Sequence, residues 1–332
     1  MKAIFLCDSP KQLREVYTET APRLYEIAQL GEHIFSGEEL LSGEADLGDV
    51  EYIFSTWGMP ALSKEEIQTH LPSLRCVFYA AGTVQKFARP FLECGVKVFS
   101  AWAANAVPVA EYTLAQIILA NKGFFVHSRT MKKGDIPTCK AMKRAYPGNY
   151  GERVGLIGVG MIGSLVAEML KPYRLDVYAF DPFLSEERAA SLGVTKCTLH
   201  ELFSSCRVVS NHLANNEATR GMLDLACFSR MLPYATFLNT GRGAQVVEED
   251  LVRVLSERPD ITAVLDVTYP EPPAEGHPFY SLENCVLTPH IAGSLCSETH
   301  RMAEYMREEY ERFTAGLPTR YEVSEKMLET MA

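Results

Sequence analysis

Three ionisable residues, Arg242, Glu271 and His290, each follow a different short apolar segment that predicts a buried strand. An arginine guanidinium can bind a carboxylate with two parallel N–H donors and polarise a neighbouring carbonyl group. A histidine can supply the proton that a carbonyl oxygen needs when it is reduced. A glutamate beside the histidine can orient the ring and favour its charged form. These residue types therefore suit the reduction of a 2-oxo acid, if a hydride donor binds next to them.

Taken singly, each residue also has an ordinary structural explanation. A histidine after a strand is often a structural hydrogen-bonding residue, Gly-Arg-Gly at 241–243 is often only a turn, and Glu271 could be an exposed loop acid. The functional interpretation depends on their joint position at the ends of successive strands, because parallel strands present those ends at one edge of a sheet.

The segment Arg153–Asp181 predicts the site of the hydride donor. It consists of an apolar strand, a glycine turn, a helix and a second apolar strand. In the turn, Gly158 allows a tight bend, Gly160 lets a pyrophosphate approach the backbone, and Gly163 lets the helix pack close to its strand. The helix N-terminus offers free N–H groups to phosphates. This order is the dinucleotide-binding fingerprint.

Asp181 ends the second strand of this segment, where a carboxylate can accept hydrogen bonds from ribose hydroxyls. Pro182 and Phe183 follow it, and no Arg or Lys stands beside it to offset its repulsion of a 2′-phosphate. The sequence therefore predicts NAD rather than NADP. His212 ends another strand at the same predicted edge and could contact the nicotinamide side.

Apolar segments of strand length alternate with helical segments along the chain, which predicts parallel sheets and the α/β fold class. The 332 residues suffice for two domains with separate cores. Strand ends in the first third single out Trp57 and the turn Ala80–Thr83 as ligand contacts, although core packing explains Trp57 equally well. Helix 298–314 is expected to pack on the N-terminal domain. The predicted helices include 11–30 (interrupted or restarted at Pro22), 84–94, 105–126, 223–231, 247–256 and 298–314, and the last predicted strand is 284–288.

Composition argues against nucleic acid and membranes as partners of this protein. The net charge of −10 disfavours nucleic acid and anionic membranes, since both require a basic surface. Polar residues interrupt the apolar helix 105–126, so we interpret it as a buried helix and not as a membrane span. The basic segment 131–150 is interpreted as a solvated loop in preference to a phosphate-binding patch. We expect no metal site.

The nine cysteines predict a reducing compartment. Their number is odd, no Cys-x-x-Cys occurs, and several lie within apolar strands. No signal peptide precedes the first strand at 2–7. These features favour a cytoplasmic protein with free thiols.

Several motifs together resemble the D-isomer-specific 2-hydroxyacid dehydrogenase family. The resemblance extends over most of the chain and includes 105–111, 158–163, 211–213 with 219–223, 239–243, 266–272 and 289–293. It implies a Rossmann NAD-binding domain (105–294) inserted in a flavodoxin-like substrate domain (1–104 and 295–332), an active site in the cleft between them, and a homodimer.

The resemblance also implies roles for particular residues. Arg242, Glu271 and His290 match the family's catalytic residues. Arg242 and His290 are also expected to bind the substrate, together with Trp57, Ala81 and Gly82. The backbone amides of the 81–82 turn would hold the substrate carboxylate. The expected cofactor contacts are Gly158, Gly160, Met161, Ile162, Gly163, Asp181, His212, Thr240, Gly241, Asp266 and Gly293.

Two other functions remain open from sequence. The first is an NAD(H)-sensing binding protein that shares the fold and acts on a protein partner through domain closure. The second is a hydride-transfer enzyme for a substrate that is not an acid, and Arg242 argues against it because a buried cation needs an anionic partner.

Overall fold

The structure is a computed structural model that describes residues 2–329 and forms two compact units. Unit 1 combines the N-terminal stretch up to Asn105 with the C-terminal stretch from Ser294, and unit 2 is Ala106–Gly293. The boundaries expected from sequence, 104/105 and 294/295, each lie one residue away. Residue 1 and residues 330–332, which the expected domain ranges include, lie outside the described residues.

Strands and helices alternate through both units. Within residues 2–329 the strands are β1 (Lys2–Leu6), β2 (Leu30–Phe35), β3 (Val50–Ser55), β4 (Cys76–Tyr79), β5 (Lys97–Ser100), β6 (Tyr150–Ile157), β7 (Arg174–Phe180), β8 (Thr195–Lys196), β9 (Val208–Asn211), β10 (Thr236–Asn239), β11 (Thr262–Leu265), β12 (Cys285–Leu287) and β13 (Glu322–Val323). The α-helices are α1 (Pro10–Tyr17), α2 (Ala21–Ala28), α3 (Gly37–Ser42), α4 (Lys64–His70), α5 (Ala88–Glu93), α6 (Trp102–Asn121), α7 (Phe124–Lys132), α8 (Ile136–Met142), α9 (Met161–Leu170), α10 (Glu186–Leu192), α11 (Leu199–Ser205), α12 (Leu225–Phe228), α13 (Glu248–Glu257) and α14 (His300–Thr314).

Unit 1 is built on one six-stranded sheet in the order β13-β5-β4-β3-β1-β2. All of its pairings are parallel except that of β13 with β5. The parallel part has the doubly wound order 2-1-3-4-5. Two buried clusters line the sheet, and α14 contributes Met302, Met306 and Tyr310 to one of them. The last helix therefore completes the core of the N-terminal part of the chain.

Unit 2 contains a seven-stranded sheet in the order β12-β11-β10-β9-β6-β7-β8, with every pairing parallel. The first strand, β6, pairs with both β7 and β9, so the strand order reverses between β6 and β9. In open sheets of this kind ligands bind at that reversal, beyond the carboxyl ends of the strands. Buried apolar clusters form on this sheet as well. The predicted α/β class with two doubly wound parallel sheets is confirmed.

Several predicted elements differ from the structure. The predicted restart of helix 11–30 near Pro22 is confirmed by α1 and α2, but α2 ends at Ala28 and Leu30 begins β2, which was not predicted. The β2 residues Gly31, Glu32 and His33 are exposed at the sheet edge, so this strand lacks the apolar run that marks a buried strand. Strand β13 follows the strand predicted to be last, and it has only two residues.

The long apolar helix and the basic segment after it also differ. Helix α6 ends at Asn121, and α7 begins after Gly123, whose φ of +66° breaks the helix. The segment 131–150 is not simply a loop, because the end of α7 and all of α8 lie in it. By length and composition α6 could cross a membrane, but Ala110, Ile117 and Ala120 are buried in a core cluster of unit 2.

Candidate active site

Six strand ends of unit 2 place the candidate residues at one edge of one sheet. The ends of β6, β9, β10, β11 and β12 are in register across the sheet, and β7 ends beside β6. The residues that follow the six strands in chain order are Gly158, Asp181, His212, Thr240, Asp266 and Thr288. Arg242, Glu271 and His290 lie in the loops after β10, β11 and β12 respectively.

His290 and Glu271 form a hydrogen-bonded pair at this edge. The distance between Nδ1 of His290 and Oε1 of Glu271 is 2.6 Å. The side chains are 45% and 40% exposed, so a ligand can reach the pair. Among residues 2–329 no hydrogen bond to Nε2 of His290 is observed, which leaves that nitrogen for a substrate oxygen. The carboxylate thus fixes which nitrogen of the ring faces outward.

Asp266 holds His290 in an uncommon backbone conformation. His290 has a φ of +55°, and its N–H donates to the backbone carbonyl of Asp266 at 3.0 Å. The Asp266 carboxylate accepts the N–H groups of Ile291 (2.8 Å) and Ala292 (2.9 Å) and the hydroxyl of Thr288 (2.6 Å). The buried carboxylate therefore shapes the turn that carries His290. Its role as a cofactor contact stays a prediction.

Arg242 is a partly buried cation that forms no ion pair with residues 2–329. Its Nη1 donates to the backbone carbonyl of Gly241 at 2.8 Å, and within the described chain no carboxylate oxygen lies within 4.0 Å of the guanidinium. Burial lowers the pKa of Arg242, and the negative charge of Glu271 opposes this effect. A partly buried guanidinium with N–H groups that no described carboxylate accepts suits an anion, and its fork suits a carboxylate.

The glycine turn has the shape that a dinucleotide requires. An added Cβ at Gly163 would lie 2.1 Å from the backbone oxygen of Gly158, so the helix can pack here only with glycine. At Gly158, φ is +85° and a Cβ would lie 2.9 Å from the backbone of His212. At Gly160, by contrast, a Cβ would meet no atom within 4 Å. The turn is tight on its protein side and open at Gly160, which fits a bound pyrophosphate.

Asp181 lies beside this turn. Its Oδ2 accepts from the N–H of Val159 and its Oδ1 from the N–H of Phe183, both at 2.8 Å. Each carboxylate oxygen retains accepting capacity for a ribose hydroxyl. Of the other predicted cofactor contacts in this region, Met161 is exposed at the start of α9, while Ile162 packs partly against the core.

His212 is buried and electrically neutral. Burial lowers its pKa to about 4. Its Nε2 lies 2.9 Å from Oγ of Ser210, and its Nδ1 has no hydrogen-bond partner among the described residues. An unpaired buried ring nitrogen next to the glycine turn is consistent with the predicted cofactor contact.

The remaining predicted contacts lie in both units. In unit 2, Thr240 is buried with its hydroxyl 3.2 Å from that of Thr113, and Gly293 is partly exposed after the His290 turn. In unit 1, Trp57 packs against both apolar clusters. The N–H of Ala81 donates to Tyr79 at 2.9 Å, and no such bond from the N–H of Gly82 is observed within residues 2–329. Substrate binding by Trp57, Ala81 and Gly82 stays a prediction.

Sequence reasoning assigned no role to three buried amides beneath the site. Asn211 and Asn239 end β9 and β10, and Gln245 lies in the 3-10 turn after Arg242. A sequence signal existed for the first two, since a polar amide at the end of an apolar strand must find partners when it is buried. Gln245 gave no signal, because nothing in the sequence shows that it is buried.

Comparison with known proteins covers the stretch of the chain in which the candidate residues of unit 2 lie. The family model described as "D-isomer specific 2-hydroxyacid dehydrogenase, NAD binding domain" matches residues 114–292. This match confirms NAD as the predicted cofactor.

Individual relatives are distant. The chain is 30% identical over 230 residues to the D-3-phosphoglycerate dehydrogenase of Archaeoglobus fulgidus. The aligned stretch covers 69% of this chain and 43% of that protein. The chain is 29% identical over 231 residues to the formate dehydrogenase of Neurospora crassa, 67% of this chain and 61% of that protein. The chain thus spans about half the length of these relatives.

A solved structure shares the fold. The phosphoglycerate oxidoreductase from Rhizobium etli superimposes with a TM-score of 0.81 at 23% identity, covering 98% of this chain and 99% of that chain. At this identity the likeness shows the fold alone.

Proposed function

Because the chain belongs to the D-isomer specific 2-hydroxyacid dehydrogenase family, we propose that it is an NAD-dependent oxidoreductase that interconverts a 2-oxo acid and a D-2-hydroxy acid. The observation that carries this proposal is the 2.6 Å pair of His290 and Glu271 at the sheet edge that also bears the glycine turn. The unpaired guanidinium of Arg242 at that edge supports an acid substrate.

Each residue of the site then has one task. NADH, when bound at the glycine turn, would supply the hydride for C2 of the 2-oxo acid. Nε2 of His290 gives a proton to the carbonyl oxygen during reduction and removes it during oxidation. Glu271 holds Nδ1 and stabilises the positive charge on the ring. Arg242 binds the carboxylate and polarises the carbonyl group, since no carboxylate of residues 2–329 pairs with its N–H donors.

The cofactor contacts follow from the same geometry. The open backbone at Gly160 and the N-terminus of α9 would hold the pyrophosphate, and Asp181 would accept the ribose hydroxyls. Asp181 has no cation beside it in sequence, which supports NAD over its 2′-phosphorylated form.

We also propose that the protein acts in the cytoplasm as a homodimer, without nucleic acid or membrane as partner. Each of the nine cysteines lies in the described part of the chain and is a free thiol. Burial raises the pKa of Cys76, Cys206 and Cys285 to about 12, so these thiols are protonated and unreactive, as suits a reducing compartment.

The test is NADH consumption by the purified protein with a panel of 2-oxo acids, including glyoxylate, pyruvate, hydroxypyruvate and acids with branched or aromatic side chains. We expect at least one acid to be reduced to the D-hydroxy product. His290→Ala should lose at least about 100-fold in kcat while NADH binding, followed by fluorescence titration, is retained.

Two results would contradict the proposal. Reduction that persists in His290→Ala would remove the proton-donor role. An NADH-binding protein that reduces no acid in the panel would instead favour the NAD(H)-sensing function.

A further inference from the structure

We propose that Gln245 is a positioning residue that fixes Arg242 for substrate binding and ties it to the loop after β9. This inference rests on the proposed function, because it assumes that Arg242 binds the substrate carboxylate. Gln245 is fully buried, so it acts through the groups that it bonds, namely three backbone groups and the side chain of Asn211.

The amide of Gln245 is fully buried, and both ends of it are bonded. Its Oε1 accepts from Nδ2 of Asn211 at 2.6 Å and from the N–H of Arg242 at 3.3 Å. Its Nε2 donates to the carbonyls of Leu213 at 2.8 Å and Ala214 at 2.9 Å. One side chain therefore joins the Arg242 loop to the loop that follows β9.

Asn239 holds the other side of Arg242. Its Nδ2 donates to the carbonyl of Arg242 at 3.2 Å, and its Oδ1 accepts from the N–H of Gly241 at 3.1 Å and from Asn211 at 3.0 Å. The backbone N–H and C=O of Arg242 are thus both bonded to buried amides. This fixes the point from which the guanidinium extends.

The packing around the network leaves the loop little freedom. A Cβ at Gly241 would lie 3.0 Å from Oε1 of Gln245, and a Cβ at Gly243 would lie 2.0 Å from the backbone of Thr268. Thr268 belongs to the loop that carries Glu271. Gln245 therefore joins the loop of Arg242 to the loop after β9, and Gly243, two residues before it, packs against the loop that carries Glu271.

Precise placement matters because no carboxylate among the described residues holds the side chain of Arg242. Its guanidinium is anchored at one point, the carbonyl of Gly241. If the backbone of residue 242 shifts, the two-donor geometry toward a carboxylate is lost, and misplacement of a positioned group by about 1 Å can cost about 100-fold in rate. A defect at Gln245 should thus appear as weakened substrate binding, with NADH binding largely kept.

The experiment compares two buried amides of unit 2. Gln245→Met keeps the shape of the side chain and removes all four hydrogen bonds. The matched control is Asn284→Leu, because Asn284 is equally buried and its Nδ2 donates to three carbonyls, those of Leu255, Arg258 and Ile261. Asn284 precedes β12 and so lies at the opposite edge of the sheet. KM, kcat, the Kd of NADH and the unfolding midpoint are measured for both variants.

We expect Gln245→Met to raise the KM of the 2-oxo acid by about tenfold or more and to change the Kd of NADH by less than about threefold. Asn284→Leu should lower the unfolding midpoint and leave KM unchanged. A KM for Gln245→Met no higher than that of the control would overturn the inference. If Gln245→Met does not fold, Gln245→Glu decides by the same criterion, because its second carboxylate oxygen would repel the carbonyls of Leu213 and Ala214.

Arg242→Ala separates the two proposals. Suppose that the wild-type protein is active and that Arg242→Ala raises KM, but that neither Gln245 variant does. This result contradicts only the positioning role of Gln245. A wild-type protein that reduces no 2-oxo acid contradicts the proposed function, and the positioning role with it.

Discussion

At the scale of single residues, the site contains two polar groups that destabilise the folded chain, and packing alone does not explain their presence. Among the described residues, Arg242 carries a partly buried positive charge without an ion pair, and His212 has a neutral imidazole with one ring nitrogen unpaired. Buried charges and unpaired polar groups destabilise a folded chain unless a partner arrives. Both residues lie at the edge that the glycine turn shares, which supports the proposal that the substrate and the cofactor bind them.

Arg242→Met should make the ligand-free protein more stable while abolishing activity. Removing a partly buried charge that pairs with no carboxylate of residues 2–329 should raise the free energy of unfolding by about 1 kcal/mol. Denaturant unfolding without substrate measures this change. Arg258→Met is the control, since Arg258 is paired with Asp260 at 2.7 Å and its loss should destabilise the protein. A loss of stability in Arg242→Met would argue for a structural role.

His212 should make stability fall in mild acid. Its pKa is about 4 in the folded chain and about 6.5 when unfolded, so between these values only the unfolded state takes up the proton. Stability is therefore lost as pH drops from about 6.5 to 4, by up to about 3 kcal/mol. His212→Gln should remove that part of the decline in unfolding experiments without cofactor. An equal decline in His212→Gln would exclude this cause, and the exposed His200→Gln serves as control.

At the scale of elements, alternation of strands and helices predicted both sheets, since parallel strands need crossover connections. The strand ends, and with them Arg242, Asp266 and His290, could be located for the same reason. The edge strands β2 and β13 could not, because they lack an apolar run. The short helices α7 and α8 were not predicted as separate helices, because a basic composition suits a solvated loop as well as an amphipathic helix.

Two residues of the glycine turn are predicted to have different roles: Gly163 serves packing, and Gly160 serves ligand binding. Gly163→Ala should destabilise the protein by more than about 2 kcal/mol, because its Cβ would overlap a backbone oxygen. Gly160→Ala should leave the unfolding midpoint within about 2 °C of wild type, because the added Cβ meets no protein atom within 4 Å. The same Cβ would occupy the space proposed for the pyrophosphate, so NADH binding should weaken at least about tenfold. Thermal unfolding and NADH titration check both. Normal NADH affinity in Gly160→Ala would mean that the pyrophosphate does not approach this residue.

At the scale of the whole molecule, exposed apolar side chains in unit 2 support the proposed homodimer. Leu119, Phe124, Met131 and Ile136 are all exposed within α6, α7 and the start of α8. The net charge of −10 opposes a merely non-specific association of copies. A second copy of the chain would bury apolar area that now faces water.

Sedimentation equilibrium should therefore give twice the 37.0 kDa of one chain. A charge placed in this region, as in the double variant Phe124→Glu and Met131→Glu, should shift the mass to that of one chain, because burying an unpaired carboxylate is unfavourable. Leu317→Glu, at an exposed position of unit 1, is the control. A wild-type mass of one chain at micromolar concentration would contradict the dimer.

The sequence by itself determined the fold class, the glycine turn and which residue types could do the chemistry. Each of these depends on local patterns: the period of apolar residues, the spacing of glycines, and the position of polar residues at strand ends. The pairing of His290 with Glu271 also followed from adjacent strand ends, although the loops between them had to fold to bring the atoms to 2.6 Å.

Only the tertiary structure decided how the site is held. The amides of Asn211, Asn239 and Gln245 are up to 34 residues apart and meet because β9 and β10 are neighbours in the sheet. The carboxylate of Asp266 reaches the turn of His290 because β11 and β12 are paired. No local pattern marks such contacts, since a buried amide or carboxylate finds its partners through the order and register of strands, which depend on the packing of the whole unit.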